Sequence, residues 1–271
     1  MKRSSTSTDE TPLKRVLAIS NRPLSMETLV GQDKTIATLK SQIESNRIPH
    51  FFLITGSIGS GKTTLARILA LSLQVTDLSV DKPQLKPLAR NDWDLYNKYD
   101  IDEINASDNN GIDFIRHLIT KNKYKPFGIS KAKVIILDES HMLTPAAQQC
   151  LLKETEDTND SLYYIFVTSN DSKIIPALKR RAYIITPNLL DAAGIKKLID
   201  QTCTNIHEKI DTGKFIEKIQ EENIRSPGLI LQAMERYISG FTIDEAIFMN
   251  NSSITKLDTF GIAQQVAKGN L

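Results

Sequence analysis

The nine residues GSIGSGKTT, at positions 56–64, constrain this chain more than any other stretch. They meet the spacing G-x-x-x-x-G-K-[ST] at Gly56, Gly61, Lys62 and Thr63. A chain of this length and average composition hits that pattern by chance about once in a hundred. The context strengthens it. An apolar, β-rich run, HFFLIT (50–55), leads in, and an amphipathic run, KTTLARILALSL (62–73), leads out. A strand that passes through glycines into a helix can turn successive backbone N–H groups toward one point, where the helix N-terminus adds partial positive charge. Such a loop cradles a phosphate chain, with Gly59 and Thr64 inside the wrap. Lys62 is expected to neutralise the β/γ oxygens, and the Thr63 hydroxyl to ligate Mg2+. The competing reading is a tight strand-to-helix turn that holds nothing.

Three further runs resemble the lead-in strand: KVIILDES (133–140), LYYIFVTSN (162–170) and the shorter AYIIT (182–186). Each is short, nearly continuous and rich in β-branched residues, as strands covered on both faces are. Helical patterns separate them: KTTLARILALSL, GIDFIRHLIT and PAAQQCLLKETE. The alternation implies βαβ units and an α/β fold, with ligands at the carboxyl ends of a parallel sheet. That places two acids, Asp138 and Glu139, at the exit of one strand. Asp138 is positioned to hold Mg2+ through water, and Glu139 to orient or deprotonate an attacking water. Without the upstream loop the pair would read as solvated surface acids. Asn170 closes the next strand and faces the same crevice, where it could position water or sense a γ-phosphate; alone it would be a turn former.

Composition excludes several alternatives. The formal net charge is +2, so nucleic-acid contact has to come from a local patch. Two cysteines, Cys150 and Cys203, stand far apart and outside any metal-ligand spacing, as expected in a reduced, intracellular protein. No run of about 18 apolar residues occurs, so no membrane-spanning segment is expected, and the polar start is not a secretory signal. Residues 1–14 read as a disordered tail, 15–187 as the α/β domain, 188–250 as a small helical domain of three helices, and 251–271 as a short extension. Residues 73–100 interrupt the pattern with prolines and mixed charge; Trp93, Tyr96 and Tyr99 there could dock a partner or pack on the sheet edge.

The order of these motifs over residues 21–235 resembles AAA+ ATPases of the sliding-clamp loader family, such as replication factor C small subunits and bacterial gamma/tau and delta-prime subunits. NRPLSMETLVGQDKTIATL resembles the family's Arg-Pro…Val-Gly-Gln opening, which implies that Arg22, Pro23 and Val30 cradle adenine. LDESHMLTPAAQQCLLKETED resembles the second acidic motif and its helix, and SNDSKIIPALKRRA the sensor strand and the Ser-Arg-Cys motif beyond. The resemblance implies a P-loop parallel sheet sandwiched by helices, followed by an all-helical lid. It also implies ATP and Mg2+ as ligands and ATP hydrolysis at a subunit interface. By position Arg181 matches the arginine that reaches into a neighbour's nucleotide site, where such a residue is worth about 10³–10⁵ in rate.

The chain departs from the pattern in several places, among them Asn110 where relatives carry arginine and the absence of four zinc cysteines from residues 73–100. Arg180 and Ala182 replace the serine and cysteine around Arg181. Gly228, in RSPGLILQ, falls where family ATPases carry a sensor arginine, a form resembling stator-type subunits. Loss of that guanidinium removes a charged contact to the γ-phosphate, which weakens lid closure; Arg225 is a candidate substitute. Residues 252–271 are also too few for the family's ring-forming helical collar.

The same resemblance implies DNA contact after the NNGID turn, through Arg116 and, on the lysine side, Lys121, Lys123 and Lys125. Alternatively these are a solvated helix end. The implied function is ATP-dependent loading of a sliding clamp at primer–template DNA, with other clamp-loader subunits, the clamp and DNA as partners. It would take place in the cytoplasm or nucleus. A stator-like subunit that hydrolyses weakly or not at all, and another AAA+ DNA motor or helicase loader, are the alternatives.

Overall fold

The computed structural model describes residue 17 and residues 21–76, 80, 83, 100–122, 124–126, 130–155, 161–206 and 211–252. The expectations for residues 1–14, for the aromatics of the 73–100 stretch, for Lys123 and for 253–271 lie outside the described residues. Five strands form one sheet: β1 (Phe51–Thr55), β2 (Ile101–Asn105), β3 (Lys133–Asp138), β4 (Leu162–Thr168) and β5 (Tyr183–Ile185). Their order is β2-β3-β4-β1-β5, and every neighbouring pair is parallel.

Helices α1 (Asp33–Glu44), α2 (Lys62–Val75), α3 (Ile112–Asn122), α4 (Pro145–Glu154) and α5 (Pro176–Arg181) cover the sheet. Strand side chains alternate between its faces. Phe52, Ile54, Ile136, Ile165 and Val167 pack with Leu65, Leu69 and Leu73 of α2 and with Leu39 and Ile43 of α1. Phe51, Leu53, Ile135, Leu137 and Phe166 pack on the other face with Ile115 of α3, Leu151 of α4 and Leu178 of α5. All seven residues of β4 are buried, which explains its uninterrupted apolar sequence. From Leu65 to Val75 every residue of α2 but Arg67 is buried.

Strand β2 is an addition to the sequence reading. IDEIN carries two acids and lacks an apolar run, because it pairs with β3 alone. Its charges are satisfied laterally. Glu103 takes a bidentate ion pair from Arg67 of α2 at 2.6–3.0 Å, and Asp102 accepts from Lys121 at 2.7 Å and from Asn122 at 2.8 Å.

Beyond the sheet, α6 (Ala192–Ile206), α7 (Thr212–Glu221), α8 (Pro227–Ile238) and α9 (Ile243–Ser252) share their own core, which includes Ile195, Ile199, Phe215, Ile219, Ile230, Met234 and Ile247. Three helices were expected there. α9 is the fourth, and its sequence signal is weak because only Ala246 and Ile247 of its described side chains are buried. No helix of the described residues is long and apolar enough to cross a membrane.

Parallel register brings the candidate residues to one edge. Thr55, the last residue before the glycine loop, is level with Thr168, and Leu137 is level with Phe166. The loop, the Asp138–Glu139 pair and Asn170 therefore leave the sheet side by side at the carboxyl ends of its strands. Ligands of open α/β sheets gather there.

Candidate active site

The glycine loop enters α2 through Gly61, whose φ of +90° is open to glycine and strained for other residues. A Cβ at Gly61 would meet nothing within 4 Å, so the loop is open on that side. Lys62 folds back across the loop and donates from Nζ to the carbonyls of Gly56 and Ser57, at 2.9 Å each. Burial pushes its pKa down, while the nearby Glu139 and Asp138 carboxylates pull it up. Thr63 donates its hydroxyl to Asp138 Oδ2 at 2.9 Å, which joins the two magnesium candidates directly.

Asp138 accepts through its other oxygen from the Glu139 backbone N–H at 2.8 Å. That bond accompanies a left-handed backbone at Glu139, φ +49°, a conformation that costs energy in a non-glycine residue. Glu139 Oε2 lies 3.2 Å from His141 Nδ1 and 3.4 Å from the Ser169 hydroxyl. Asn170 caps a short turn (Asp171–Lys173), accepting from Ser172 N–H at 3.2 Å and the Ser172 hydroxyl at 2.6 Å. Buried Gln148 of α4 braces this region: it donates to Leu143 and Lys173 carbonyls at 3.1 Å each and accepts from Ile175 N–H at 2.8 Å.

A cavity of about 530 Å3 continues from the loop. Arg22, Pro23 and Val30 line it together with Ser60, Gly61 and Thr64, so the residues expected at a base and those expected at phosphates share one space. Three buried polar atoms there, Ser60 Oγ, Arg22 Nε and Asn21 Nδ2, have no hydrogen-bond partner. Unmatched polar groups beside a cavity of this size fit a nucleotide-sized polar ligand. The far wall comes from Gln201, Thr202 and Asn205 of α6 and Leu231 of α8.

The helical part is tied to the loop and to the strand exit. Gln32 exchanges both amide hydrogen bonds with the Asn188 backbone, at 2.8 and 3.0 Å. Ser226 donates to the Ile58 carbonyl at 3.1 Å, and Gly228 N–H donates to the Gly59 carbonyl at 2.9 Å. A Cβ at Gly228 would sit 2.9 Å from the Gly59 Cα and 3.1 Å from its carbonyl oxygen. The glycine is therefore a contact surface, where the sequence suggested only a missing arginine. Arg225 donates Nε to the Leu190 carbonyl at 2.8 Å and does not line the cavity.

Gly228→Ala is expected to destabilise the chain by about 1–3 kcal/mol, since the atom it meets is backbone and cannot swing aside. The helix-propensity gain of up to ~1 kcal/mol is smaller. Chemical denaturation would read this as a lower midpoint at unchanged slope, and an unchanged midpoint would refute it.

Arg181 ends α5 and is exposed. Arg116 is exposed on α3 and pairs with Asp113 at 3.2 Å, while Lys121 spends its charge on Asp102. Lys125 is exposed beyond that helix. Sequence reasoning did not single out Gln32, His141, Gln148, Thr168 or Ser226. Apart from the His141–Glu139 contact, their partners are other chain segments or backbone atoms, which local patterns do not reveal; Gln32 alone carried a signal, as the end of the Val-Gly-Gln opening.

Residues 31–189 match the family model described as DNA polymerase III, delta subunit. Among curated proteins, the chain is 33% identical over 224 residues to the DNA polymerase III subunit gamma/tau of Mycobacterium bovis, which covers 81% of this chain and 38% of that one. It is 30% identical over 222 residues to the replication factor C small subunit of Thermoplasma volcanium, covering 81% and 63% respectively. The chain thus spans less than two thirds of the length of these relatives. Among solved structures, a Thermotoga maritima RuvB T158V variant superposes with a TM-score of 0.58 at 18% identity, over 90% of this chain and 78% of that one. At that identity the likeness concerns the fold alone.

Proposed function

Because this chain belongs to the DNA polymerase III delta-subunit family of clamp-loader AAA+ proteins, we propose that it is an ATP-dependent subunit that helps load a sliding clamp at primer–template junctions. Residues 15–187 would form its ATPase domain and 188–250 its lid, with 251–271 as an extension. The supporting observation is the convergence of the Thr63–Asp138 pair, Glu139 and a cavity lined by Arg22, Pro23 and Val30 on the phosphate loop.

In this reading ATP lies along the cavity with its phosphates on the amides of Gly56, Gly59, Gly61 and Thr64. Magnesium held at Thr63 and Asp138 would neutralise charge on the β- and γ-phosphates. Lys62 leaves the two loop carbonyls for the β/γ oxygens. Glu139 takes a proton from the attacking water, which Asn170 helps to place. Arg181, exposed at the end of α5, serves a neighbouring subunit's site, so turnover depends on assembly. Arg116, with Lys121 in a lesser role, follows the DNA backbone, at the expense of their present ion pairs with Asp113 and Asp102.

A second reading has a specific observation behind it. Gly228, at the position where the resemblance implies a sensor arginine, packs against Gly59, and this supports a stator-like subunit that binds nucleotide and turns it over slowly. One experiment separates the two: ATPase activity measured with clamp, primed DNA and companion subunits, added singly and together. Clamp loading predicts stimulation only in the complete mixture. A stator predicts that the stimulated rate persists in Glu139→Gln and falls in Arg181→Ala. Indifference to clamp and primer would exclude both.

A further inference from the structure

Two residues after Glu139, a histidine outside the phosphate-loop motifs touches the candidate base. His141 sits in the short turn Ser140–Met142, with 14% of its side chain exposed. The turn is pinned to the sheet because buried Ser140 donates its hydroxyl to the Val167 carbonyl at 3.0 Å. His141 Nδ1 then lies 3.2 Å from two oxygens, Glu139 Oε2 and Thr168 Oγ1. Thr168 is fully buried, and its hydroxyl oxygen also accepts the Asn170 N–H at 3.0 Å.

The partners decide the proton. An ionised carboxylate is only an acceptor, so a nitrogen lone pair facing Glu139 at this distance would be repelled. A proton on Nδ1 is donated to the second lone pair of Thr168 Oγ1 and is attracted to the Glu139 carboxylate at ion-pair distance. We infer that His141, protonated at Nδ1, is a positioning residue: it anchors one oxygen of the Glu139 carboxylate and, through Thr168, links the base to the backbone of Asn170. With Oε2 held, Oε1 remains to face the water. Asn170 and Glu139, separated by 31 positions in the chain, are thereby oriented by one hydrogen-bonded series. The αL backbone at Glu139 belongs to the same arrangement, since a strained residue keeps its geometry only where its surroundings hold it. The inference rests on the proposed hydrolytic reading for its purpose, and on the geometry alone for the bond.

The test has two arms. In the full chain without nucleotide, 15N NMR of the histidine rings distinguishes a protonated nitrogen from a lone-pair nitrogen. The chain has four histidines, and His141→Asn identifies the relevant signals by their loss. The expected result is a protonated Nδ1 whose signal moves in Glu139→Gln. A proton on Nε2 alone, or a signal unmoved by Glu139→Gln, overturns the inference.

In the complete assembly, His141→Ala should lower kcat about 10²-fold, the cost of a ~1 Å misplacement, with nucleotide affinity unchanged. His141→Asn, which keeps an N–H near the Nδ1 position, should recover part of the loss. If Glu139→Gln stops turnover but His141→Ala keeps the wild-type kcat, the positioning role is lost. If the wild type does not turn over at all, the hydrolytic reading fails, and the NMR arm still decides the bond.

Discussion

Lys62→Ala is expected to weaken nucleotide binding by about 10²–10⁴-fold, to the limit of detection in a fluorescent-ATP titration. The ammonium would make two charge-assisted bonds to phosphate oxygens, each worth about 1.5–3 kcal/mol. Its Nζ now donates to the Gly56 and Ser57 carbonyls, from which it would swing to the phosphate. Those bonds belong to a cation whose pKa burial has lowered. Phosphate would replace neutral acceptors with charged ones and push that pKa back up. Circular dichroism should show the variant folded, because α2 is held by its buried face from Leu65 to Val75 and not by its first residue. A variant that binds ATP as tightly as the wild type would remove the phosphate loop from the proposed function.

Glu139→Gln should leave that titration unchanged and reduce turnover by about 10²–10⁴-fold, the usual contribution of a positioned general base. The amide matches the carboxylate in shape, so the turn and the contact with His141 are kept while the capacity to take a proton is lost. Asp138 still accepts from Thr63 and from the residue 139 N–H, so the magnesium candidates are undisturbed. The measurement is single-turnover hydrolysis in the complete assembly. Equal rates in the two proteins would show that the residue is no base here, and would leave the stator reading as the stronger one.

Most of the sheet was visible in the primary structure because its central strands are covered on both faces, so burial writes an apolar run into β1, β3 and β4. β2 was not visible: its edge position puts acids into the strand, and their partners, Arg67 and Lys121, lie on helices far along the chain. The site divides in the same way. Gly56 through Thr64 form a contiguous cradle whose geometry follows from glycine freedom and a helix start, so nine letters sufficed. Asp138, Glu139 and Asn170 were legible as strand-end positions, since parallel strands must finish at one edge.

What the sequence determined by itself is therefore local: a turn, a helix start, the alternation of strand and helix, and the acids at a strand's end, each encoded within about ten neighbouring residues. Tertiary structure alone decided the rest. It set Gly228 against Gly59, Gln32 against Asn188, and His141 between Glu139 and Thr168. Such contacts bring together residues widely spaced in the chain, and their energy comes from packing and matched polar atoms that exist only after the sheet has closed. A glycine at position 228 reads as an absence in one dimension. In three it is the only residue thin enough for the helical part to rest on the phosphate loop.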